Sequence, residues 1–395
     1  MLIVQKYGGA TLENPEKIKN IAASIANLKK NNNQIVAVVS AMGQTTNQLI
    51  QLAQQVSKKP QLRELDMLLS VGERTSMALV SMALHDLNCD AISFTGSQAG
   101  ILTDEAHLNA MIKDVKAHRV QEALDKNQVV ILAGFQGVSP VTKEITTLGR
   151  GGSDTSAVAM AAYLKADVCE ILKDVPSIFT ADPKVIKTAK PIKKLHYDHL
   201  MEMTFWGAKV LHYRSVELAK LKNVKLYVGP AAHQNSEGTS IQGDFMFETS
   251  KPLAVNSHSQ VFEIIIKKLN ISNAINELFN TLQKNQISVP QVLTGYEKNQ
   301  DTHLMITAPQ ENMTAIQTYL AKNNQVIELK NQNLCSVSLT CTGSTLNDTL
   351  LKTSSELHKK NIHPEHFIQS AMSLNYILKQ SEKEQAVQVM HSLIE

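Results

Sequence analysis

A lysine and two glycines follow the first apolar run of the chain, in the order Lys6-Tyr7-Gly8-Gly9. Glycine lets the backbone approach a phosphate closely and point its N–H groups at it, and the lysine adds a positive charge. The segment is therefore a candidate phosphate site, although the Walker A pattern of P-loop proteins is absent from the sequence. Taken alone, such a tetrapeptide is more often a tight turn with an exposed lysine.

A second glycine-rich segment, Gly149-Arg150-Gly151-Gly152-Ser153-Asp154, precedes a helical pattern from Ser153 to Leu164. Free N–H groups at a helix N-terminus and a nearby arginine form an anion site, and Arg150 can hold a carboxylate through two hydrogen bonds. Asp154 also fits a simple first-turn acid that the helix dipole favours. The arginine and the glycines together favour a functional site.

Four other segments carry polar groups where strands or loops end: Ser40-Ala41-Met42-Gly43, Lys173-Asp174-Val175-Pro176, Phe179-Thr180-Ala181-Asp182-Pro183-Lys184 and Gly207-Ala208-Lys209. Small residues at the carboxyl end of a strand suit a ligand crevice, and Phe179 can face an adenine ring. Each segment also has an ordinary explanation, which is a turn at Ser40, a packed aromatic at Phe179 and a surface lysine at Lys209.

The elements that must position these residues alternate in type over residues 1–245. The run from Ile35 to Val39 is apolar on both faces, as a buried parallel strand needs. Further apolar runs predict strands at 91–94 and 129–135, and helical patterns cover 47–57, 62–87, 107–126 and 153–164. This alternation predicts an α/β/α sandwich around a mostly parallel sheet.

The pattern changes after Leu226. Residues 229–251 are rich in Gly, Pro, Ser and Asn and are typical of a linker. Beyond them, shorter elements follow twice in the order strand, helix, two strands, helix, which predicts small sheets with helices on one face. We therefore expect a catalytic domain over residues 1–245 and two small βαββα domains over 252–330 and 331–395.

Composition excludes several classes of protein. The formal net charge is only +3, and no dense basic run is interleaved with aromatics, which argues against a nucleic-acid partner. The four cysteines include no CxxC pair, so free thiols in a reducing cytosol are expected. The N-terminus carries a charge too early for a signal peptide, and the longest apolar runs have only strand length. The sequence thus predicts a cytoplasmic protein without a membrane partner.

Taken together, these segments resemble the aspartate kinases of the amino-acid kinase family. The matching strings occur in family order across residues 1–245: Val4-Gln5-Lys6-Tyr7-Gly8-Gly9, Val39-Ser40-Ala41-Met42-Gly43, Gly72-Glu73-Arg74, Ser93-Phe94-Thr95-Gly96-Ser97-Gln98-Ala99-Gly100, Gly134-Phe135-Gln136-Gly137, Thr146-Thr147-Leu148-Gly149-Arg150-Gly151-Gly152-Ser153-Asp154, Thr180-Ala181-Asp182-Pro183 and Gly207-Ala208-Lys209-Val210-Leu211. The C-terminal part is similar, less closely, to the paired ACT-like (ferredoxin-like) regulatory domains of these enzymes.

The resemblance implies ATP-dependent phosphorylation of the β-carboxylate of L-aspartate to 4-phospho-L-aspartate, the first step of aspartate-family amino-acid biosynthesis. The nucleophile is already ionised at neutral pH, so no general base is required. By resemblance, Lys6 and Lys209 flank the transferring phosphoryl group and Asp154 orients them. Gly8 and Gly9 cradle that group, and Mg²⁺ bridges the nucleotide phosphates.

The resemblance also implies the two substrate pockets. Arg150 grips the α-carboxylate of aspartate and Glu73 its α-ammonium group. The remaining residues are assigned by pocket: Ser40, Thr45 and Ser153 line the aspartate side, whereas Lys173, Asp174, Phe179, Asp182 and Lys184 join Lys6 and Lys209 on the nucleotide side. A homodimer through residues 252–395 is expected, since open sheet edges seek partners.

Several features depart from the family pattern. Ala10 stands where a hydroxyl residue is usual, Lys173 replaces a usual Ser or Thr, and neither small repeat carries the Asp-x-Pro-Gly turn of effector-binding ACT domains. The departures keep two alternatives open, a kinase with another substrate and a non-catalytic paralogue that acts through ligand binding and assembly.

Overall fold

The computed structural model describes residues 1–231, 238–244, 251–285, 287–322 and 327–394. The chain divides into two compact units. The first comprises Met1–Phe179, Pro191–Thr204 and Lys209–Phe247, and the second comprises Thr180–Lys190, Phe205–Ala208 and Glu248–Glu395.

An eight-stranded sheet forms the centre of the first unit. Its strands are β1 (Leu2–Tyr7), β2 (Gln34–Val39), β3 (Ala91–Phe94), β6 (Val129–Ala133), β9 (Val168–Lys173), β10 (Lys194–Leu195), β11 (Leu226–Pro230) and β12 (Thr239–Ile241). They lie in the order β10-β12-β11-β9-β1-β2-β6-β3, and every pair is parallel except β11 with β12. The apolar run Ile35 to Val39 is fully buried in β2, as a strand covered on both faces requires.

Helices and a smaller sheet complete this unit. The helices are α1 (Pro15–Lys30), α2 (Thr45–Val56), α3 (Leu62–His85), α4 (His118–Asp125), α5 (Gly152–Leu164), α6 (Tyr197–Phe205) and α7 (Tyr213–Lys222). The smaller sheet contains β4 (Ile101–Thr103), β5 (Ile112–Val115), β7 (Gln136–Val138) and β8 (Ile145–Thr147), in the order β5-β4-β7-β8. The start of α1 follows its sequence signal, because Asn14 accepts a hydrogen bond from the Lys17 N–H and Pro15 is the first helical residue.

Two local expectations were wrong. The helix expected over residues 107–126 exists only as α4, since residues 112–115 form β5 and pair with β4. That stretch forms a strand because pairing with β4 outweighs its weak intrinsic preference for helix. The linker expected over residues 229–251 contains β12, which pairs with β10 and β11; its residues 232–237 and 245–250 lie outside the described residues.

The second unit contains one antiparallel sheet of six strands. These are β13 (Ala254–Ile266), β14 (Gln291–Lys298), β15 (Asp301–Thr307), β16 (Ile327–Thr340), β17 (His366–Gln369) and β18 (Ser373–Lys379), in the order β14-β15-β13-β16-β18-β17. The helices α8 (Ile271–Lys284), α9 (Gln310–Lys322), α10 (Leu346–Lys359) and α11 (Lys383–His391) complete the order βαββα twice. The long central strands β13 and β16 pair with each other, so both repeats share one sheet.

The expected fold class is thus confirmed: an α/β sandwich with a mostly parallel sheet, and two ACT-like βαββα repeats. The boundaries at residues 245, 252 and 330 stay predictions. The four cysteines, all within the described residues, form no disulfide, and three of them are buried. In the described part of the chain, no helix is long and apolar enough to span a bilayer.

Candidate active site

Two loops meet where β1 and β2 end. The Ser40 N–H donates to the Tyr7 carbonyl at 3.1 Å, and the Gly43 N–H donates to the Gly9 carbonyl at 3.0 Å. A Cβ at Gly9 would stand only 2.8 Å from the Ala41 carbonyl oxygen. Glycine is therefore needed at position 9 for the two loops to approach, and the Gly8–Gly9 turn is held against the end of the sheet.

A buried ion pair lies beside this turn. The Nζ of Lys6 is 2.6 Å from Oδ1 of Asp154, and the two side chains are 9% and 7% exposed. Burial alone would raise the pKa of Asp154, but the charges of Lys6 and Lys173 outweigh it and hold that pKa below its usual value. The carboxylate therefore stays ionised and fixes the Lys6 ammonium group near Gly8.

Helix α5 presents Asp154 because of the glycines before it. Gly149 and Gly151 have φ of +74° and +70°, a region that other residues rarely adopt. A Cβ at Gly151 would lie 2.2 Å from the Cβ of His212, so the turn leaves no room for a side chain there. A Cβ at Gly134, just beyond β6, would stand 2.8 Å from the Ser153 Cβ. Ser153 thus lies against the carboxyl end of β6, and Asp154 contacts Lys6 of β1.

Glu73 approaches the same end of the sheet from α3. It is 3% exposed, and its Oε1 accepts the Ala41 N–H at 3.0 Å. Its Oε2 is buried and, among the described residues, has no hydrogen-bond partner. Burial raises the pKa of Glu73 to about 7, although the Ala41 N–H and the Lys6 charge oppose that rise. An unpartnered buried carboxylate oxygen suits a ligand that donates hydrogen bonds.

The other residues assigned to aspartate lie nearby in the chain's first unit. Thr45 begins α2 and donates its hydroxyl to the Met42 carbonyl at 2.7 Å, and Ser40 is half-buried. A Cβ at Gly72 would lie 2.7 Å from the Ala41 Cβ, so α3 packs closely on the loop that follows β2. Arg150 is exposed between its two left-handed glycines.

The residues assigned to the nucleotide are more dispersed. Lys173 ends β9, Asp174 follows it exposed, and Phe179 forms a bridge with Pro191. Asp182 and Lys184 are exposed residues of the second unit. Lys209 is exposed in the loop between α6 and α7, and the lysines that act on Asp154 are Lys6 and Lys173. The nucleotide roles of these residues stay predictions.

Sequence reasoning missed Arg214, a residue that holds the glycine-rich segment in place. Its Nη1 donates to the Leu148 carbonyl at 3.0 Å and its Nη2 to the Ala110 carbonyl at 2.6 Å. Leu148 directly precedes Gly149, so this contact fixes the start of the anion loop. The sequence feature that could have identified Arg214 is its place in the first turn of α7, where the helix dipole disfavours positive charge.

Asp66 was missed as well. It is fully buried in α3 and accepts the Thr147 hydroxyl at 2.5 Å, the Leu108 N–H at 3.1 Å and His107 Nδ1 at 2.6 Å. Gly149 rests on this loop, since a Cβ there would lie 2.9 Å from the Leu108 carbonyl oxygen. The signal was an aspartate on the apolar side of a helix, which requires partners when it is buried.

We expect Asp66→Ala to lower the free energy of unfolding by about 3 kcal/mol, because three donors lose their buried acceptor. Urea denaturation followed by far-UV circular dichroism measures this free energy. Asp66→Asn is the matched variant, since its amide oxygen still accepts from Thr147 or Leu108 and should recover part of the loss. Equal stability of Asp66→Ala and the parent would show that the network contributes nothing.

Comparisons with known proteins show the family of this chain. The profile described as the amino acid kinase family matches residues 1–230. The aspartokinase of Corynebacterium glutamicum is 39% identical and covers 99% of this chain and 95% of its own length. The aspartokinase of Bacillus sp. (strain MGA3) is 35% identical, with 100% and 97% covered.

A solved structure shows the same fold. Aspartokinase III of E. coli, in complex with aspartate and ADP, superimposes with a TM-score of 0.80 at 22% identity and covers 100% of both chains. The profile match and the two full-length relatives establish that this chain belongs to the amino acid kinase family and, within it, to the aspartokinases.

Proposed function

We propose that this chain transfers the γ-phosphoryl group of ATP to the β-carboxylate of L-aspartate and forms 4-phospho-L-aspartate. The observation that carries the proposal is the buried Lys6–Asp154 pair at the Gly8–Gly9 turn, with the unpartnered Glu73 oxygen close to the same loops. The relatives named aspartokinase and the E. coli complex with aspartate and ADP support the choice of substrates.

The chemistry requires positioning and charge neutralisation more than proton transfer. The attacking carboxylate is ionised at neutral pH, and its approach to a triphosphate is opposed by repulsion between anions. Lys6 supplies a positive charge held rigidly by Asp154, and the Gly8–Gly9 turn supplies backbone donors. Lys209 would join them by movement of its exposed loop onto the bound phosphates.

Aspartate would be held through its α-ammonium group and its α-carboxylate. The free Oε2 of Glu73 would accept from the α-ammonium group, and Arg150 would clamp the α-carboxylate. Ser40, Thr45 and Ser153 would line the space between them. This arrangement orients the β-carboxylate toward Lys6, so the substrate's own charges set its direction of approach.

Lys173, Asp174, Phe179, Asp182 and Lys184 are proposed for the nucleotide side. Mg²⁺ would be carried by the phosphates of ATP and would neutralise part of their charge. The protein's part is to receive the phosphates at Lys6, Gly8 and Gly9.

A hydroxamate assay with ATP and a panel of amino acids tests the function. Of the amino acids tested with ATP, we expect only aspartate to give product, whereas glutamate and acetylglutamate should give none. Binding of ATP or aspartate without any turnover would instead support the non-catalytic paralogue. Detection of 4-phospho-L-aspartate would also place the enzyme at the first step of aspartate-family amino-acid biosynthesis. The cytoplasmic location and the homodimer through residues 252–395 stay predictions.

The affinity for aspartate should depend on the ionisation of Glu73. Because the pKa of Glu73 is raised to about 7, its carboxylate gains a proton as the pH falls through that value and loses its attraction for an ammonium group. Between pH 8 and pH 6 the KM for aspartate should rise by about tenfold at saturating Mg-ATP. Glu73→Gln should have a high KM at both values and little pH dependence; an unchanged pH profile in that variant would contradict the assignment.

We expect lysine and threonine, singly or together, to inhibit weakly or not at all. Neither repeat has a Pro-Gly turn, and in the first repeat two N–H groups at the N-terminus of α8 already have side-chain acceptors. Asn270 accepts the Asn273 N–H at 2.9 Å and Glu297 accepts the Ile271 N–H at 3.0 Å. An effector carboxylate would have to displace these acceptors. Inhibition titrations and calorimetry measure the effect, and submillimolar binding with loss of activity would refute the prediction.

A further inference from the structure

Leu108 has a backbone conformation that leucine rarely adopts. Its φ is +64°, in the left-handed region, where a Cβ crowds the carbonyl oxygen that follows it. Glycine, asparagine and aspartate are the residues usually found there. Leu108 is half-buried in the loop between β4 and β5. A bulky side chain in this region indicates that the surroundings hold the backbone in place.

The N–H side of Leu108 is anchored by Asp66 of α3. The Leu108 N–H donates to Oδ1 of Asp66 at 3.1 Å and lies 3.4 Å from Oδ2. The Asp66 side chain is fully buried. A hydrogen bond to a buried carboxylate is stronger than one to a neutral acceptor, and a lost donor would leave the carboxylate less satisfied. The position of the Leu108 N–H is therefore fixed.

The carbonyl side of Leu108 is anchored to the glycine-rich segment. The Ala110 N–H donates to the Thr147 carbonyl at 2.9 Å, and Nη2 of Arg214 donates to the Ala110 carbonyl at 2.6 Å. A Cβ at Gly149 would lie 2.9 Å from the Leu108 carbonyl oxygen, so the Gly149 backbone rests against that carbonyl. The φ of Leu108 sets the angle between the anchored N–H and this carbonyl. Any change in φ would move the surface on which Gly149 packs.

A role in stability alone is the simpler explanation. The Asp66 carboxylate also accepts the Thr147 hydroxyl and contacts His107 Nδ1, and these contacts do not require a positive φ at residue 108. They leave unexplained why a leucine is held in this conformation against Gly149, the residue directly before Arg150. Strained backbone that is fixed from both sides is typical of sites where the geometry of a ligand contact matters.

We propose that Leu108 is a positioning residue whose positive φ, held between Asp66 and Gly149, sets the place of the Arg150 guanidinium and thereby the affinity for aspartate. The inference rests on the proposed function, which assigns Arg150 to the α-carboxylate of aspartate. Leu108 acts through the backbone of Gly149, the neighbour of Arg150. A clamp of two hydrogen bonds depends on direction, so a small displacement of its backbone weakens it.

Substitutions at position 108 leave Asp66 and its other partners in place. Leu108→Val should raise the KM for aspartate by about fivefold, because a β-branched residue is poorly compatible with a positive φ. Its kcat and its KM for ATP should stay within about twofold of the parent, since the clamp on aspartate is the contact displaced. Leu108→Thr is a second β-branched variant in case Leu108→Val does not fold.

Two further variants separate backbone conformation from packing. Leu108→Gly and Leu108→Asn tolerate a positive φ and should keep the KM for aspartate within about twofold of the parent. A packing role would give the reverse order, because valine keeps more apolar surface than glycine or asparagine.

Gln300→Val is the matched control. Gln300 is exposed between β14 and β15 in the second unit and has a φ of +68°, so valine introduces the same backbone strain there. This variant should keep the KM of the parent for aspartate.

Three results would overturn the inference: an unchanged KM for aspartate in a folded β-branched variant, a larger rise in the Gly and Asn variants than in Leu108→Val, or an equal rise of both KM values. Calorimetry of aspartate binding with ADP present should give the same order of variants without turnover. Failure of the proposed function is distinct, since the parent would then bind aspartate in a manner that depends on residue 108 and form no phosphorylated product. Normal turnover in the parent, with parent-like aspartate KM in the β-branched variants, would reject this inference alone.

Discussion

Replacement of Lys6 by methionine should lower kcat by about 10²–10³-fold while the protein stays folded. The Lys6 ammonium group is fixed by Asp154 at 2.6 Å and lies beside Gly8, where negative charge gathers during transfer. An interaction made mainly in the transition state appears in turnover more than in KM. Lys173 still faces Asp154 in this variant, so the buried carboxylate keeps a cation and the fold should survive.

The matched control is Lys359→Met. Lys359 is 63% exposed in α10 and pairs with Glu356 at 2.6 Å, a surface ion pair worth less than about 1 kcal/mol. Initial-rate kinetics with both substrates should show parent-like kcat for this control. Normal turnover in Lys6→Met, with circular dichroism unchanged, would mean that Lys6 is only a structural partner of Asp154.

Arg150→Ala should raise the KM for aspartate far more than the KM for ATP. Arg150 stands between Gly149 and Gly151 at the start of α5, with the loop anchored by Arg214, and its guanidinium matches a carboxylate in two hydrogen bonds. Loss of a charge-assisted pair should cost about 2–5 kcal/mol, which is roughly a 30- to 5,000-fold rise in KM.

Arg63→Ala is the control for this variant, since Arg63 is an exposed arginine whose ion pairs are with Glu64 and Glu144. Steady-state kinetics in which each substrate is varied separately should leave its two KM values close to the parent. If Arg150→Ala keeps the aspartate KM and raises that of ATP, Arg150 belongs to the nucleotide pocket instead.

The sequence alone was sufficient for the parallel core and for the loops at its carboxyl ends. The fully apolar run at residues 35–39 requires burial on both faces, and the glycines at positions 149 and 151 meet a local backbone requirement, a positive φ. The βαββα order could also be predicted from the sequence, because apolar periodicity is a local property of the chain. These features depend on neighbours within a few residues.

Elements and contacts that depend on residues far apart in the chain were decided only by the tertiary structure. The stretch at 112–115 became a strand because β4 offered an edge, and Thr239–Ile241 joined the large sheet in spite of a linker-like composition. Asp66 and Arg214 hold the anion loop through partners between 41 and 104 residues away. The charge of Lys173 acts on Asp154 because β9 lies next to β1. Spacing along the chain does not predict which distant residues become neighbours, since the order of strands in the sheet is set only when the strands pair.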